Sequence, residues 1–393
     1  MRERHFRSPA PEREHNGGVD AAESLEEYVP GDFWFATARH TIFGSGSRLT
    51  FTDTDVSALS DAVPAALAGS PGSLAVGVLP FDTTAAPGHL VVPGAVHVAG
   101  PAHPAVADLP RLPIEAPSAV RAVPEPVGHV EAVARAVRAL RERGLRKVVL
   151  ARALDLEFAD DVPARAVLHN LVKDNPHGYT FAAGLPGGRS LIGATPELLL
   201  SRSGRRVVSH PHAGSAPRSA DPVTDRDNAE RLAASRKDHV EHAVLTEAIV
   251  ETLRPFCRRL TVPGSPSLVS TPTMWHLSTM VTGELTDPGI TALHLAGALH
   301  PTPAICGSPT KPARRLVGEL EPFDRGYYAG TVGWVDERGD GEWAVSIRCA
   351  EVSGASMRLY AGGGIVPASD PKAELDETSA KFRTLLRAMG LDR

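Results

Sequence analysis

Cysteine is scarce in this sequence: Cys257, Cys306 and Cys349 are the only three among 393 residues. None stands in a C-x-x-C spacing, and an odd, sparse set supports neither a disulfide framework nor a zinc site. The three read as small buried thiols in a reducing compartment. A surplus of positive charge is also missing. Lys and Arg total 41 against 46 Asp and Glu, for a formal net charge of −5, whereas nucleic-acid binders concentrate a basic excess. No apolar run approaches the roughly 20 residues that span a bilayer. The opening text, MRERHFRSPAPEREHNGG, has no apolar core of the kind a secretory leader carries. The expectation is a soluble, cytoplasmic protein with no nucleic-acid or membrane partner.

What is present is a 42% hydrophobic chain, long enough to bury a large core. Residues 1–28 are polar, charged in both signs and punctuated by Pro and Gly, which predicts a disordered tail ahead of one domain over 29–393. Phe33, Trp34 and Phe35 open a strand, and GSLAVGVLPFD (72–82) reads as another. The prolines of 100–126 suit a wrapped connection. Val130, Val133, Val137 and Leu140 recur at helical spacing, predicting a helix over Gly128–Arg143 that Gly144 caps. LRKVVLARALDLEF reads as a strand, 164–174 as a helix, and the text from Gly178 to Pro211 as at least three short strands. A long helix is expected over about Asp225–Phe256 and a last one over Pro371–Met389. Between them, GEWAVSIRCAEVSG and ASMRLYAGGGI read as strands. Hairpin-like strand groups with helices between them predict an α+β fold of layered antiparallel sheets.

Chemistry gathers in a few segments. In the last helix, Glu374, Glu377 and Lys381 fall within about 60° of one another at 3.6 residues per turn, presenting two carboxylates and an ammonium together. A solvated surface is the ordinary explanation of such a face. The preceding Ala-Gly-Gly-Gly, read as a loop, adds bare backbone beside the helix start, a place for an anion. In SRKDHVEHAVL, Glu241 could join Glu377 in an all-oxygen Mg²⁺ site. Lys147 opens the apolar LRKVVLAR strand, where a plain edge lysine is the alternative. Glu197, in GATPELLLSR, is a carboxylate among apolar neighbours, either turned to solvent or raised in pKa as a general acid requires. His276, between Trp275 and Leu277, has a packed, hydrogen-bonded core histidine as its ordinary reading.

Taken together, KVVLAR, GATPELLLSR, HPHAGSAPR, SRKDHVEHAVL, TPTMWHL, LHPTPAICGSP, EPFDRGYYAGTVGW, GEWAVSIRCAEV and AGGGIVPASDPKAELDETSAK resemble the chorismate-utilising enzymes, in the order that family uses. The match runs from about Lys147 to Leu391. The resemblance implies a single large α+β domain with a cleft between its sheets and one bound Mg²⁺, held at Glu241 and Glu377 with Glu374 beside them. It implies that Arg348 and Lys381 hold substrate carboxylates, that Gly214, Ser215 and the Gly362–Gly363–Gly364 run close over the substrate, and that His276 stands on the ring-hydroxyl side. A dicarboxylate such as chorismate needs a fork-like cation of this kind.

Lys147 is similar to the base of the members that add water, and Ala213 stands where aminodeoxychorismate synthases resemble one another in carrying lysine. The resemblance therefore implies isochorismate synthesis: Lys147 as base for water at C2, Glu197 as acid for the C4 hydroxyl. It also implies a monomer with no glutaminase subunit, serving siderophore or menaquinone synthesis. A salicylate synthase and a non-catalytic chorismate-binding protein are the alternatives. His212 departs from the pattern, replacing an aliphatic residue next to the substrate loop.

Overall fold

The computed structural model describes residues 20–392. Among them, every strand pairing is antiparallel, in three sheets. The largest runs Gly307–Ser308, Lys147–Glu157, Ser356–Ile365, Cys349–Ser353, Arg189–Thr195, Tyr179–Leu185, Phe33–Ala36, Thr41–Ser45, Ala95–Ala99. The second runs Cys257–Thr261, Val281–Leu285, Arg206–His210, Leu198–Ser203, Gly341–Val345, Thr331–Asp336, Leu74–Leu79, Gly88–Val92, Leu49–Asp53. A small third sheet joins His212–Pro217, Met274–Ser278 and Ser267–Ser270. This is the single-domain α+β architecture expected.

Successive side chains on a strand point to opposite faces, and here both faces of the largest sheet are covered. Phe33 and Phe35 enter the core between the two large sheets, while Trp34 between them enters a second core under the helices Ala164–Asp174 and Pro371–Ala388. Leu191 and Ile192 divide in the same way. Two-sided burial explains why FWFA and RSLIGAT read as continuous apolar text rather than as alternation. Each large side chain taken fully inside contributes about 1.5–3 kcal/mol.

Several predicted boundaries hold. The helix expected over Gly128–Arg143 spans Pro126–Arg143 and ends on Gly144 at φ 67, the left-handed cap. The last helix, Pro371–Ala388, is capped by Asp370, whose carboxylate accepts from the Lys372 and Ala373 amides.

Others are corrected. The tail does not extend to residue 28: Ala21–Glu27 is a helix capped by Asp20, with Leu25 and Tyr28 buried, and residues 1–19 lie outside the described ones. The proline-rich connection carries a short helix, Ala102–Val106, and a strand, Ala119–Val123, that pairs with Lys147–Glu157. The helix expected over Asp225–Phe256 is two, Pro222–Ala234 and Arg236–Leu253, broken at Ser235. Ser235 takes an extended conformation and its hydroxyl accepts from the Asp238 amide, so a side-chain cap outcompetes helix continuation there. GEWAVSIRCAEVSG is not one strand; it changes sheet between Gly341–Val345 and Cys349–Ser353.

Candidate active site

Three chain segments cross from one sheet to another close together, and each delivers a polar side chain at the crossing. Pro196 and Glu197 link Arg189–Thr195 of the largest sheet to Leu198–Ser203 of the second. Ser346 to Arg348 lead back from the second sheet to the largest, and Arg348 adopts φ 50, a left-handed conformation uncommon outside glycine. Pro211 leads from the second sheet into the third, where His212 begins the strand His212–Pro217. Along that strand, the three steps from His212 to Ser215 oppose two steps, Ser278 to His276. The extra residue is a bulge, and Gly214 within it takes φ 80.

The crossings line an open cavity of about 670 Å³. Its wall includes Glu197, His212, Gly214, Ser215, Glu241, His276, Arg348, Gly362, Gly364, Glu377 and Lys381, so most of the residues singled out in the sequence meet at one place. Lys147 stands just behind the wall, on the same strand face as Val149, which lines it. Lys147 is 1% exposed and its Nζ is 2.9 Å from Glu241 Oε1. An edge lysine turned to solvent is thereby excluded. Gly363 and Glu374 also lie behind the wall, Glu374 being buried.

The glycine run is not a loop. Gly362, Gly363 and Gly364 sit inside the strand Ser356–Ile365, paired with Ala151, Leu150 and Val149. The reason for glycine is clearance. A Cβ on Gly364 would stand 2.1 Å from Glu241 Oε1 and 2.8 Å from Lys147 Cε, and one on Gly363 would stand 3.1 Å from Glu374 Oε2. The strand surrenders side chains so that the charged groups can approach its backbone.

Each of the three acidic residues is matched to a lysine. Lys147 holds Glu241, Lys237 Nζ is 2.8 Å from Glu374 Oε1, and Lys381 Nζ is 2.6 Å from Glu377 Oε1 while also donating to the Gly362 carbonyl. Lys237 was not anticipated, although it precedes Asp238 in the very segment singled out. Burial and the neighbouring Glu377 carboxylate push Glu374 up to about 7, against the pull of Lys237. Burial would raise Glu377 too, but Lys381, Lys237 and Arg348 bring it below the usual carboxylate value. Glu374 Oε2 is buried with no hydrogen-bond partner. Among the described residues, no three His, Cys, Asp or Glu side chains converge into a metal cage as they stand. The donor set nevertheless suits a hard divalent cation: carboxylate oxygens, one unpartnered, and a pair of acids that resist sharing negative charge.

Glu197 is 3% exposed, and burial raises it to about 7 even though the His212 backbone N–H, Lys147, Lys381 and Arg348 pull the other way. It is therefore a carboxylic acid on the cavity wall that can carry a proton near neutral pH, as Glu374 behind the wall also can. Arg348 is lowered by burial only to about 10 and remains a cation. Its Nη2 lies 3.4 Å from His276 Nε2, and His276 Nδ1 meets the Ser215 hydroxyl at 2.8 Å. Burial, with Arg348 and Lys381 nearby, holds His276 well below the usual histidine value, so its ring is neutral. Beyond the expected residues, Tyr328, Ala304, Ile305 and Ile347 also face the cavity. All are apolar or aromatic, and nothing in local sequence pattern separates them from core.

If Glu197 is the acid, kcat/KM reports its titration in the free enzyme. The rate should fall as pH rises through about 7, because the proton-bearing form is lost there. Glu197→Gln should abolish that limb together with most of the rate, and a wild-type profile flat from pH 6 to 8 would contradict the assignment.

Comparison with known proteins now decides the relationship. The sequence profile described as chorismate binding enzyme matches residues 111–390. The chain belongs to this family. It is similar to isochorismate synthase DhbC of Bacillus subtilis, with 46% identity over 389 residues, covering 95% of this chain and 97% of that one. The fold matches the crystal structure of a putative 2,3-dihydroxybenzoate-specific isochorismate synthase, DhbC from Bacillus anthracis, with TM-score 0.89 and 43% identity over 94% of this chain and 99% of that one. It also matches MenF, the menaquinone-specific isochorismate synthase of Escherichia coli, with TM-score 0.80 and 25% identity over 95% of this chain and 92% of that one. No helix among the described residues is long and apolar enough to cross a membrane.

Proposed function

We propose that this chorismate-binding enzyme is an isochorismate synthase, an isomerase that adds water at C2 of chorismate and releases the C4 hydroxyl. One observation carries the reading: a cavity walled by the cations Arg348 and Lys381 also holds Glu197, an acid that can carry a proton near neutral pH, beside the buried lysine Lys147. Arg348 and Lys381 suit the two substrate carboxylates. Glu197 gives its proton to the departing C4 oxygen, and Lys147 takes one from the incoming water as the ring double bonds shift. An ammonium has donors and no acceptor, so Lys147 must shed a proton and part from Glu241 before it acts. Ser215 and Arg348 hold the neutral His276 ring in place on the hydroxyl side. Mg²⁺ would be held by Glu241 and Glu377 with Glu374 beside them, and would supply Lewis-acid polarisation of the ring carboxylate.

A base that activates water gives ammonia no role, so no glutaminase subunit is expected, and a cytoplasmic monomer is the proposed working form. Relatives with DhbC, vibriobactin-specific and MenF names match over most of the chain, so siderophore and menaquinone synthesis both remain routes for the product.

The test is purified protein with chorismate and Mg²⁺, without ammonia, and with products separated by chromatography. A product isomeric with chorismate should appear and reach an equilibrium mixture from either side. Chelation by EDTA should stop conversion, and added Mg²⁺ should restore it. Salicylate and pyruvate would instead make the enzyme a salicylate synthase, and conversion indifferent to EDTA would remove the metal from the proposal.

A further inference from the structure

Three lysines balance the three carboxylates assigned to Mg²⁺, and they are not equally held. Lys147 is sealed in, its side chain 1% exposed against Glu241. Lys381 is 13% exposed and has a second acceptor, the Gly362 carbonyl, besides Glu377. Lys237 is 30% exposed, and Glu374 is the one hydrogen-bond acceptor its ammonium meets among the described residues. Of the three, Lys237 has the fewest ties and the most open way to solvent. The carboxylate it holds is 1% exposed.

Its place is one a cation would not take unaided. Ser235 caps the helix Arg236–Leu253, so Lys237 is the second residue of that helix, where the helix dipole disfavours positive charge. Burial also works against its charge, but Glu374, Glu377 and Glu241 all attract it, and the ammonium persists. One lysine thus answers to the same three acids that a metal would. An ammonium has donors and no lone pair, so it cannot join a metal's ligands. A divalent cation on those oxygens would instead meet a like charge at short range.

We propose that Lys237 stands in for the metal: its ammonium neutralises Glu374 in the metal-free enzyme and must release that carboxylate for Mg²⁺ to be taken up. This rests on the magnesium site of the isochorismate synthase reading. The exchange spares the buried Glu374 from standing unpaired in either state, which would be costly. It also weakens Mg²⁺ binding, because an ion pair is broken before the metal is held. A monovalent cation would bring no more charge than the ammonium it removed, so the lysine favours a divalent occupant.

The test uses the full chain stripped of metal with EDTA, then dialysed and titrated with MgCl₂ in a calorimeter without substrate. Lys237→Gln keeps a donor for Glu374 but not the charge, whereas Lys237→Arg keeps the charge. The Gln variant should bind Mg²⁺ about tenfold more tightly than wild type, and the Arg variant should stay near wild type. In thermal melts the metal-free Gln variant should be less stable than metal-free wild type and should gain more on adding Mg²⁺. A purely structural ion pair would lower the metal-free melt without tightening Mg²⁺ binding. Unchanged or weaker binding by the Gln variant, or an equal gain with Arg, overturns the proposal. Failure of all three proteins to take up Mg²⁺ would remove the metal reading itself and the proposal with it.

Discussion

Replacing Lys147 with alanine should lower turnover by about 10²–10⁴-fold, the range a positioned general base contributes, while chorismate still binds. Two structural facts make the loss specific. Lys147 is buried against Glu241, and the neighbouring cations Arg348 and Lys381 are charged groups that hold ligand rather than accept protons. The substitution also strands the Glu241 carboxylate, and breaking one side of a buried ion pair costs about 3–5 kcal/mol. A drop in thermal midpoint is therefore expected with alanine. Lys147→Gln separates the two effects: its amide can still donate to Glu241, so stability should largely return, but turnover should not. Chromatographic rates, calorimetric affinity and thermal melts on the three proteins decide the matter. Retention of wild-type turnover in either variant would remove Lys147 from the base role.

The second large effect is expected from the smallest change. Gly364→Ala adds one methyl group at a position where it would stand 2.1 Å from Glu241 Oε1 and 2.8 Å from Lys147 Cε. Either the carboxylate and lysine move or the strand does. Pairing to Lys147–Glu157 along Gly362, Gly363 and Gly364 resists strand displacement, so the side chains must yield. A misplacement of about 1 Å in a catalytic group can cost 10²-fold, and overpacking typically costs about 1–3 kcal/mol of stability. Activity should fall by about 10²-fold or more with only a modest shift in melting. Gly363→Ala, whose methyl would meet Glu374 Oε2 at 3.1 Å, should lose much less. Equal rates for Gly364→Ala and wild type would show that the clearance is not needed.

Much of this site was legible before any coordinates. Helical spacing put Glu374, Glu377 and Lys381 on one face, and the observed Glu377–Lys381 pair follows from that spacing. The apolar surroundings of Glu197, LLL on one side and a Thr-Pro turn on the other, leave it either turned to solvent or raised in pKa, and its burial decides for the second. Other features could have been read and were not. Ser235 three residues before Asp238 is a helix-start pattern, and it marked the break in the predicted long helix. The glycine run reads both as the end of the strand ASMRLYAGGGI and as a loop before the last helix, and the strand Ser356–Ile365 bears out the first.

By itself, then, the sequence determined the elements whose causes are local: the capped terminal helix, the strands bounded by Gly and Pro, the absence of basic excess and cysteine pairs. Its ordered segments also sufficed to place the chain among chorismate-utilising enzymes. Only the tertiary structure decided which charges face one another. Lys147 meets Glu241 and Lys237 meets Glu374 because the helices Arg236–Leu253 and Pro371–Ala388 come together beside the strand that Lys147 opens. Spacing along a helix or strand governs neighbours a few residues apart. Burial, and with it the elevated pKa of Glu197, arises from what the rest of the chain brings to the same point.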